Sequence, residues 1–412
     1  MSIPVVTVGS AQEAVVGGLE RLHGPVTVVR RCSELAELIA ACQSGLALAA
    51  VVAEGCEELT TTLVDRLGAV GVSIVALTDD PAEANRLHSI GAVTASTGID
   101  AADLAAKISE AVDREGPRSQ PLAGRDAGFA DPGGAGVLLE AAAESVDDTP
   151  RGGSGQITAV WGGPVGAPGR TLLAVNIAAE LAAAGESVIL VDADSYGGAS
   201  VSAVLGLLDE SAGLAQACRL ADQGLLDIEA LKSAAIPVYT KAGTFRVLTG
   251  TTRADRWTEL RAGAVSMVLE RARQVADHVV VDTGFCLEAD EELSFDTMAP
   301  RRNAATLRSL EMADVVFAVG AADAIGVPRL VRGWRSLSPR FRKYLRVVLN
   351  KVKRSAVGHS PRQQLGDAWD RYGPGAGGCT PTFRQTLWRA TQLCWQVQSF
   401  WKWRLTRLLG WR

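Results

Sequence analysis

Short apolar runs alternate with helical spacing through the first 112 residues. Ile3–Val8 and residues 26–29, 46–52 and 72–77 are runs of four to seven positions rich in Val, Ile, Leu and Ala. Runs of that length and composition are expected of strands buried on both faces. Between them, residues 33–43 and 57–67 carry apolar positions at helical spacing, and Ser33 with Glu37 nearby suits a helix start. Residues 100–112 read as an amphipathic helix that closes the block. The pattern predicts an α/β domain over residues 1–115.

The pattern then lapses. Residues 116–155 are rich in Gly, Pro, Asp and Ser, with one short apolar segment at 137–143. This composition predicts a flexible linker. Regular alternation resumes at residue 156. Strands are predicted at 157–161, 187–192, 245–249, 278–282, 314–320 and 345–350, with a helix over 171–184. Strands separated by helices imply a parallel sheet with helices on both faces. The second domain is placed at 156–375, followed by a tail at 376–412.

Composition narrows the class. Of 412 residues, 47% are apolar and 21% charged, which excludes global disorder. Apolar runs fall short of the roughly 18 residues that a membrane span requires, and the first residues lack the basic and long apolar regions of a signal peptide. A cytoplasmic location is expected, with peripheral association at the inner face of the cell membrane as an extension of it. Cys32, Cys42, Cys56, Cys218, Cys286, Cys379 and Cys394 form no C-x-x-C or paired metal spacing, and the four His are isolated.

The candidate chemistry sits in the second block. After its first strand the chain reads Gly163-Pro164-Val165-Gly166-Ala167-Pro168-Gly169-Arg170-Thr171, and a helix follows. The phosphate loop G-x-x-x-x-G-K-[ST] occupies the same strand-to-helix setting. Its backbone N–H groups wrap phosphates, its Lys reaches the terminal phosphates and its hydroxyl binds Mg²⁺. Here Gly169-Arg170-Thr171 stands where G-K-T belongs, and Pro164 stands where the first Gly belongs. A Gly/Pro turn without a ligand would also fit the loop alone. Two further strand ends add weight. Asp192-Ala193-Asp194 ends the second strand, and Asp282 ends the His278-Val-Val-Val run. Carboxylates at such ends can orient a Mg²⁺ ion and the attacking water.

With these motifs, residues 156–353 resemble the MinD/ParA family of deviant-Walker P-loop ATPases, and within it the actinobacterial CpaE-like branch that includes septum site-determining proteins. The resemblance is carried by GGPVGAPGRTLLAVNIAAELA, VILVDADSYGGASVSAVLGL, VLTGTTRADRWTEL, VVVDTGFCLEADEELSFDTMAPRRNAATL and ADVVFAVGAADAIG. It implies ATP and Mg²⁺ as cofactors. The phosphate-binding stretch would comprise Gly163, Gly166, Ala167, Pro168, Gly169, Arg170, Thr171 and Leu172. Thr171, Asp192 and Asp282 would hold the metal, and Asp194 and Arg170 would act in catalysis. Asn350 would contact adenine. A nucleotide-dependent homodimer and a septal, polar or secretion-assembly partner are also implied.

Departures from that pattern bear on turnover. Val165 stands where the family's signature Lys reaches the partner's phosphates. Arg170 is a planar fork and not a compact ammonium, and Pro168 lacks an N–H to offer a phosphate. Nucleotide binding with weakened hydrolysis is expected, in septum-site selection or cell division. The alternatives are a localisation factor for Flp/Tad pilus or secretion assembly and a non-catalytic nucleotide-binding scaffold.

The first block resembles a response-regulator receiver, which implies a flavodoxin-like fold. The resemblance is carried by IVALTDDPAEANRLHSIGAVTAST. The positions that phosphotransfer needs are Gly9-Ser10, Ala53-Glu54 and Ser96-Thr97, without the acidic pair, the Asp and the Lys. A pseudo-receiver used for docking is expected.

The net charge of −5 conceals a split. Residues 1–327 hold 23 Lys/Arg against 44 Asp/Glu, and residues 328–412 hold 18 against 2. Ten of those basic residues lie in 329–354, where a basic face would suit DNA backbone or an anionic membrane surface. Six more lie in 384–412, with five of the nine Trp in the last 25 residues. Taken literally, that tail is an amphipathic segment for a membrane interface. It also back-translates, in a shifted frame from Trp388, to LARDAALLAGAVFLEVAPDTPARLA, an ending the family resemblance would favour. Sequencing the coding DNA decides between them: an alternate frame without a family-like helix leaves the literal tail.

Overall fold

The computed structural model describes residues 2–9, 13–22, 24–53, 55–115, 155–163, 168–196, 198–207, 211–240, 243–289, 300–337 and 345–373. The linker expected at 116–155, Gly155 apart, and the tail expected at 376–412 lie outside them. The chain divides into two compact units, Met1–Gly153 and Ser154–Arg412.

In the first unit, β1 (Ile3–Val8), β2 (Val26–Cys32), β3 (Ala49–Val52), β4 (Ser73–Leu77) and β5 (Val93–Ala95) form a sheet of order β2-β1-β3-β4-β5. Every pairing is parallel, the doubly wound order of flavodoxin-like folds. The helices are α1 (Glu13–Arg21), α2 (Leu35–Gln43), α3 (Thr61–Ala69), α4 (Pro81–Ser89) and α5 (Ala101–Glu115). Leu38, Leu63, Leu67 and Leu87 bury α2, α3 and α4 on one face of the sheet. Leu19, Leu104 and Ile108 bury α1 and α5 on the other.

Among the boundaries that differ from the sequence pattern, such as β2 running on from residue 29 to Cys32, two have a local physical cause. The run at 46–52 becomes a strand only from Ala49, because Leu46 and Leu48 are 48% and 44% exposed and outside the pleated core. The helix expected at 57–67 divides into a 3₁₀ turn at Cys56–Glu58 and α3. Thr60 caps α3 by accepting a hydrogen bond from the Leu63 N–H at 3.3 Å, which fixes the start there.

The second unit is built on β6 (Gln156–Gly162), β7 (Val188–Ala193), β8 (Ile236–Tyr239), β9 (Thr244–Leu248), β10 (His278–Thr283), β11 (Val315–Ala321) and β12 (Leu345–Asn350). The order is β12-β11-β6-β10-β7-β9-β8. All pairings are parallel except β8 against β9. The edge strand β8 escaped the sequence pattern: it has four residues, includes a Pro and has Tyr239 at 79% exposure. The helices are α6 (Arg170–Ala183), α7 (Ser200–Leu205), α8 (Gly213–Asp222), α9 (Ile228–Ala234), α10 (Ala262–Val275), α11 (Ala304–Met312), α12 (Gly326–Ser336), α13 (Arg354–Val357) and α14 (Pro361–Tyr372). Separate apolar clusters cover the two sheet faces. This is the α/β architecture expected, parallel sheets flanked by helices.

Topology concentrates the strand ends around β6. The chain passes from β6 to β7, and β10 later fills the place between them. It then crosses to β11 on the far side of β6. Ligands in such sheets bind outside the carboxyl ends at the point where the winding reverses.

Leu104 is fully buried on α5. Leu104→Ala should lower the stability of the first unit by about 2–5 kcal/mol. Urea unfolding followed by circular dichroism checks this.

Candidate functional site

The loop that leaves β6 turns into α6 at Gly169, whose φ of 92° is left-handed and favours glycine. A Cβ there would stand 2.5 Å from Asn350 Nδ2. Gly162 is equally confined: its Cβ would meet the Val319 carbonyl at 2.7 Å and Arg170 Cδ at 2.8 Å. The glycines at 162 and 169 therefore let the Arg170 side chain lie across the strand end and let β12 approach the loop. Residues 164–167, which include the predicted Gly166 and Ala167, lie outside the described residues. Pro168 is buried and its carbonyl accepts from Asn350 Nδ2 at 2.8 Å. The Asn350 Oδ1 accepts from the Lys351 N–H at 2.7 Å. Predicted to contact a base, Asn350 here clamps the loop to the end of β12. Gly163 ends the described part of the loop and abuts α12, with a would-be Cβ 3.0 Å from the Arg329 carbonyl. Leu172 lies in the first turn of α6 and is half-buried.

The carboxylates meet through strand register. Asp282 on β10 pairs in register with Asp192 on β7 and with Val160 on β6. Register partners on neighbouring parallel strands project to the same face about 4.8 Å apart. Asp282 is fully buried and Asp192 is 1% exposed. Asp192 is partly satisfied: its Oδ1 accepts from the Asp194 N–H at 3.3 Å and its Oδ2 from the Val201 N–H at 3.1 Å. Gly250 makes room for it, because a Cβ there would lie 2.7 Å from the carboxylate. Neither oxygen of Asp282 has a hydrogen-bond partner among the described residues.

Burial pushes the Asp192 carboxyl up to about 7, against the pull of the backbone N–H of Val201. Burial, and then the Asp192 charge, raise Asp282 well above the usual carboxylate range, opposed by Thr171 and Arg170. Thr171 thus lies within electrostatic reach of Asp282 at the start of α6.

Asp194, 5% exposed, divides its oxygens. Its Oδ2 takes Arg170 Nη2 at 3.1 Å in a partly buried ion pair, and its Oδ1 takes the Tyr196 N–H at 2.9 Å. Of the predicted site residues, Gly163, Pro168, Gly169, Arg170, Thr171, Leu172, Asp192, Asp194, Asp282 and Asn350 are gathered at one edge of the sheet. Gly250, Gly284 and Thr306 were missed. The Thr306 hydroxyl accepts from the Gly284 N–H at 3.0 Å beside Asp194. The Thr249-Gly250-Thr251 triplet after β9 is the sequence signal that could have marked Gly250.

On the first unit, Asp79 after β4 accepts from Ser96 Oγ at 2.6 Å, from the Thr97 N–H at 3.1 Å and from the Thr97 hydroxyl. These bonds hold its carboxyl below the usual range. The Ser96-Thr97 pair, read as the missing Lys position, serves to anchor this aspartate. Ser10 and Glu54 lie outside the described residues.

No family model matches the chain, and no curated protein matches it. Solved structures do align with it. The cell division ATPase MinD of Pyrococcus furiosus is 18% identical, covering 53% of this chain and 81% of that one, with a TM-score of 0.40. A plasmid partition protein of Borrelia burgdorferi is 12% identical over 60% and 99%, TM-score 0.39. A ParA family ATPase of Chlorobium tepidum is 15% identical over 51% and 81%, TM-score 0.40. Two of these neighbours are named as ATPases, one of them as a ParA family member, and the third as a plasmid partition protein.

The raised carboxyls fix a pH effect. Groups whose folded pKa exceeds the unfolded value bind protons in the folded state, so their contribution to stability falls as pH rises. The window runs from the ordinary carboxylate pKa near 4 up to about 7 for Asp192. Asp282→Asn should therefore gain stability relative to wild type as pH is raised from about 5 to about 8 in metal-free buffer. Thermal unfolding at both pH values checks this.

Proposed function

We propose that the second unit binds Mg²⁺–ATP at the carboxyl edge of β6, β7 and β10, and that the protein is a MinD/ParA-type positioning protein. The observation that carries the reading is Asp282: fully buried, beside a second carboxylate in register, with both oxygens lacking a hydrogen-bond partner among the described residues. Buried charge without a partner is costly, and a cation near the phosphate loop would relieve it. Among the described residues no three His, Cys, Asp or Glu form a metal cluster. Mg²⁺ is usually bound through one or two carboxylates together with substrate phosphates. Thr171, Asp282 and Asp192 would hold it, and it would supply charge neutralisation on the phosphates.

The chain's own groups perform the rest. The N-terminus of α6 offers backbone N–H groups and its dipole to an anion. Arg170, now on Asp194, is positioned to turn to a phosphate. Asp194 would orient the attacking water once Arg170 leaves. Hydrolysis is slow in this reading, because a fork replaces the phosphate-loop ammonium and Val165 supplies no charge to a second copy. A nucleotide-dependent homodimer, septum-site selection or cell division as the setting, and a cytoplasmic or peripheral membrane location belong to the same proposal, with Flp/Tad pilus or secretion assembly as the alternative setting. Among the described residues no helix is long and apolar enough to cross a membrane. Arg332 on α12, Arg346 on β12, Lys351 and Lys353 just after β12, and Arg354 at the start of α13 are exposed. They supply the basic face proposed for DNA or an anionic membrane.

The Arg170–Asp194 ion pair favours a second reading, a nucleotide-binding scaffold whose water-orienting acid stays engaged. Calorimetry should detect Mg²⁺–ATP binding to wild type, and absence of binding overturns the proposal. Slow hydrolysis that falls in both Asp194→Ala and Arg170→Ala supports turnover. Equal rates in all three proteins leave the scaffold.

A further inference from the structure

Beyond the phosphate site, one half-buried side chain joins elements that the chemistry above does not use. Tyr196 follows Asp194 by two residues, and its N–H is held by Asp194 Oδ1. Its ring packs on Phe285, just beyond β10, at 4.9 Å between centroids. The Arg302 guanidinium lies over the ring at 4.3 Å from its centroid, within the range of a cation–π contact. Its hydroxyl donates to Asn303 Oδ1 at 3.0 Å.

Asn303 is 2% exposed and precedes α11. Its Nδ2 donates to the Glu288 carbonyl at 2.7 Å and to Cys286 Sγ at 3.4 Å. The amide is thus engaged at both ends, its orientation set by the carbonyl it must donate to. The same segment is tied to β6, because Trp161 Nε1 donates to the Phe285 carbonyl at 3.2 Å. Apolar packing alone would require only a Phe at position 196. The hydroxyl adds a directed bond to a buried amide, and the backbone N–H adds a directed bond to the Asp194 carboxylate.

We infer that Tyr196 is a positioning residue that couples the Asp194 carboxylate to the segment from Phe285 through Glu288 and to the start of α11. The inference rests on Asp194 belonging to the proposed nucleotide site. Asp194 holds Arg170 with one oxygen and Tyr196 with the other. An anion that draws Arg170 away changes the load on the shared carboxylate. Tyr196 passes that change to Asn303, and Asn303 passes it to Cys286 and Glu288. The output of the site is then the surface that follows β10.

Cys286 reports the state of this segment. It is half-buried, whereas Cys32, Cys42, Cys56 and Cys218 are buried. Its alkylation by iodoacetamide, resolved by peptide mass spectrometry, is measured in wild type, Tyr196→Phe, Asp194→Ala and the double variant, each checked for an unchanged circular dichroism spectrum. Tyr196→Phe should speed alkylation about fivefold, the scale of one neutral hydrogen bond. Asp194→Ala should also speed it, and the double variant should be no faster than the faster single variant, since one linkage is broken in each. Multiplying rates in the double variant overturn the coupling, as does a Cys286 rate that Tyr196→Phe leaves unchanged. This cycle needs no nucleotide, so it stands or falls apart from ATP binding. With Mg²⁺–ATP, the wild-type rate should change and the Tyr196→Phe rate should not, at equal binding by calorimetry. A wild type that binds ATP with an unchanged Cys286 rate overturns the inference, as does a Tyr196→Phe protein that keeps the full response.

Discussion

Two carboxylates stand side by side in a dry sheet, and much of the second unit is arranged around that. Asp192 and Asp282 are register partners on adjacent strands, so they cannot move apart without breaking the ladder. Burial pushes both toward the neutral form, aided by the Asp192 charge at Asp282 and by the Asp194 charge at Asp192. The fold partly relieves Asp192 with two backbone N–H groups, one from the start of α7. Asp282 receives no such bond among the described residues. The remaining relief comes from outside the sheet: the Thr171 hydroxyl and Arg170 at the start of α6.

Glycine makes that geometry possible at a few positions. Gly250 leaves space for the Asp192 carboxylate, and Gly169 takes the left-handed turn that starts α6 against Asn350. Arg170 shows the opposite strategy. Its long side chain crosses Gly162 to reach Asp194 in a partly buried ion pair. Such a pair is weak evidence for stability, because desolvation offsets much of its attraction. Its consequence is a position that a competing anion can claim. The chain's departures from the common phosphate loop are thus concentrated where charge is handled, while the strand-end carboxylates are kept.

The two units share an architecture and differ in what their sheet edges offer. At the carboxyl edge of the first, Asp79 is consumed by hydrogen bonds from Ser96 and Thr97. At the edge of the second, Asp282 is left without such bonds among the described residues. The charge split along the chain has one counterpart among the described residues, the exposed basic positions of α12, β12 and α13.

The chain itself shows the two α/β blocks, because buried parallel strands are short continuous apolar runs and the stretches between them leave room for helices. It also determined the chemical inventory of the site. Gly169, Arg170, Thr171, Asp192, Asp194 and Asp282 are all strand-end or helix-start residues, recognisable from local pattern alone. It did not disclose β8, whose half-exposed residues and Pro237 give no core signal, or the break before α3, which depends on the Thr60 cap. Only the tertiary structure decided that β10 lies between β6 and β7. Strand order is set by long-range pairing and crossover, which local periodicity does not encode. That order turns two aspartates 90 residues apart into neighbours in register, and it brings Tyr196 against Phe285 and Asn303. The linkage around Tyr196 was invisible in the chain because its parts come from three distant segments and acquire meaning only through contact.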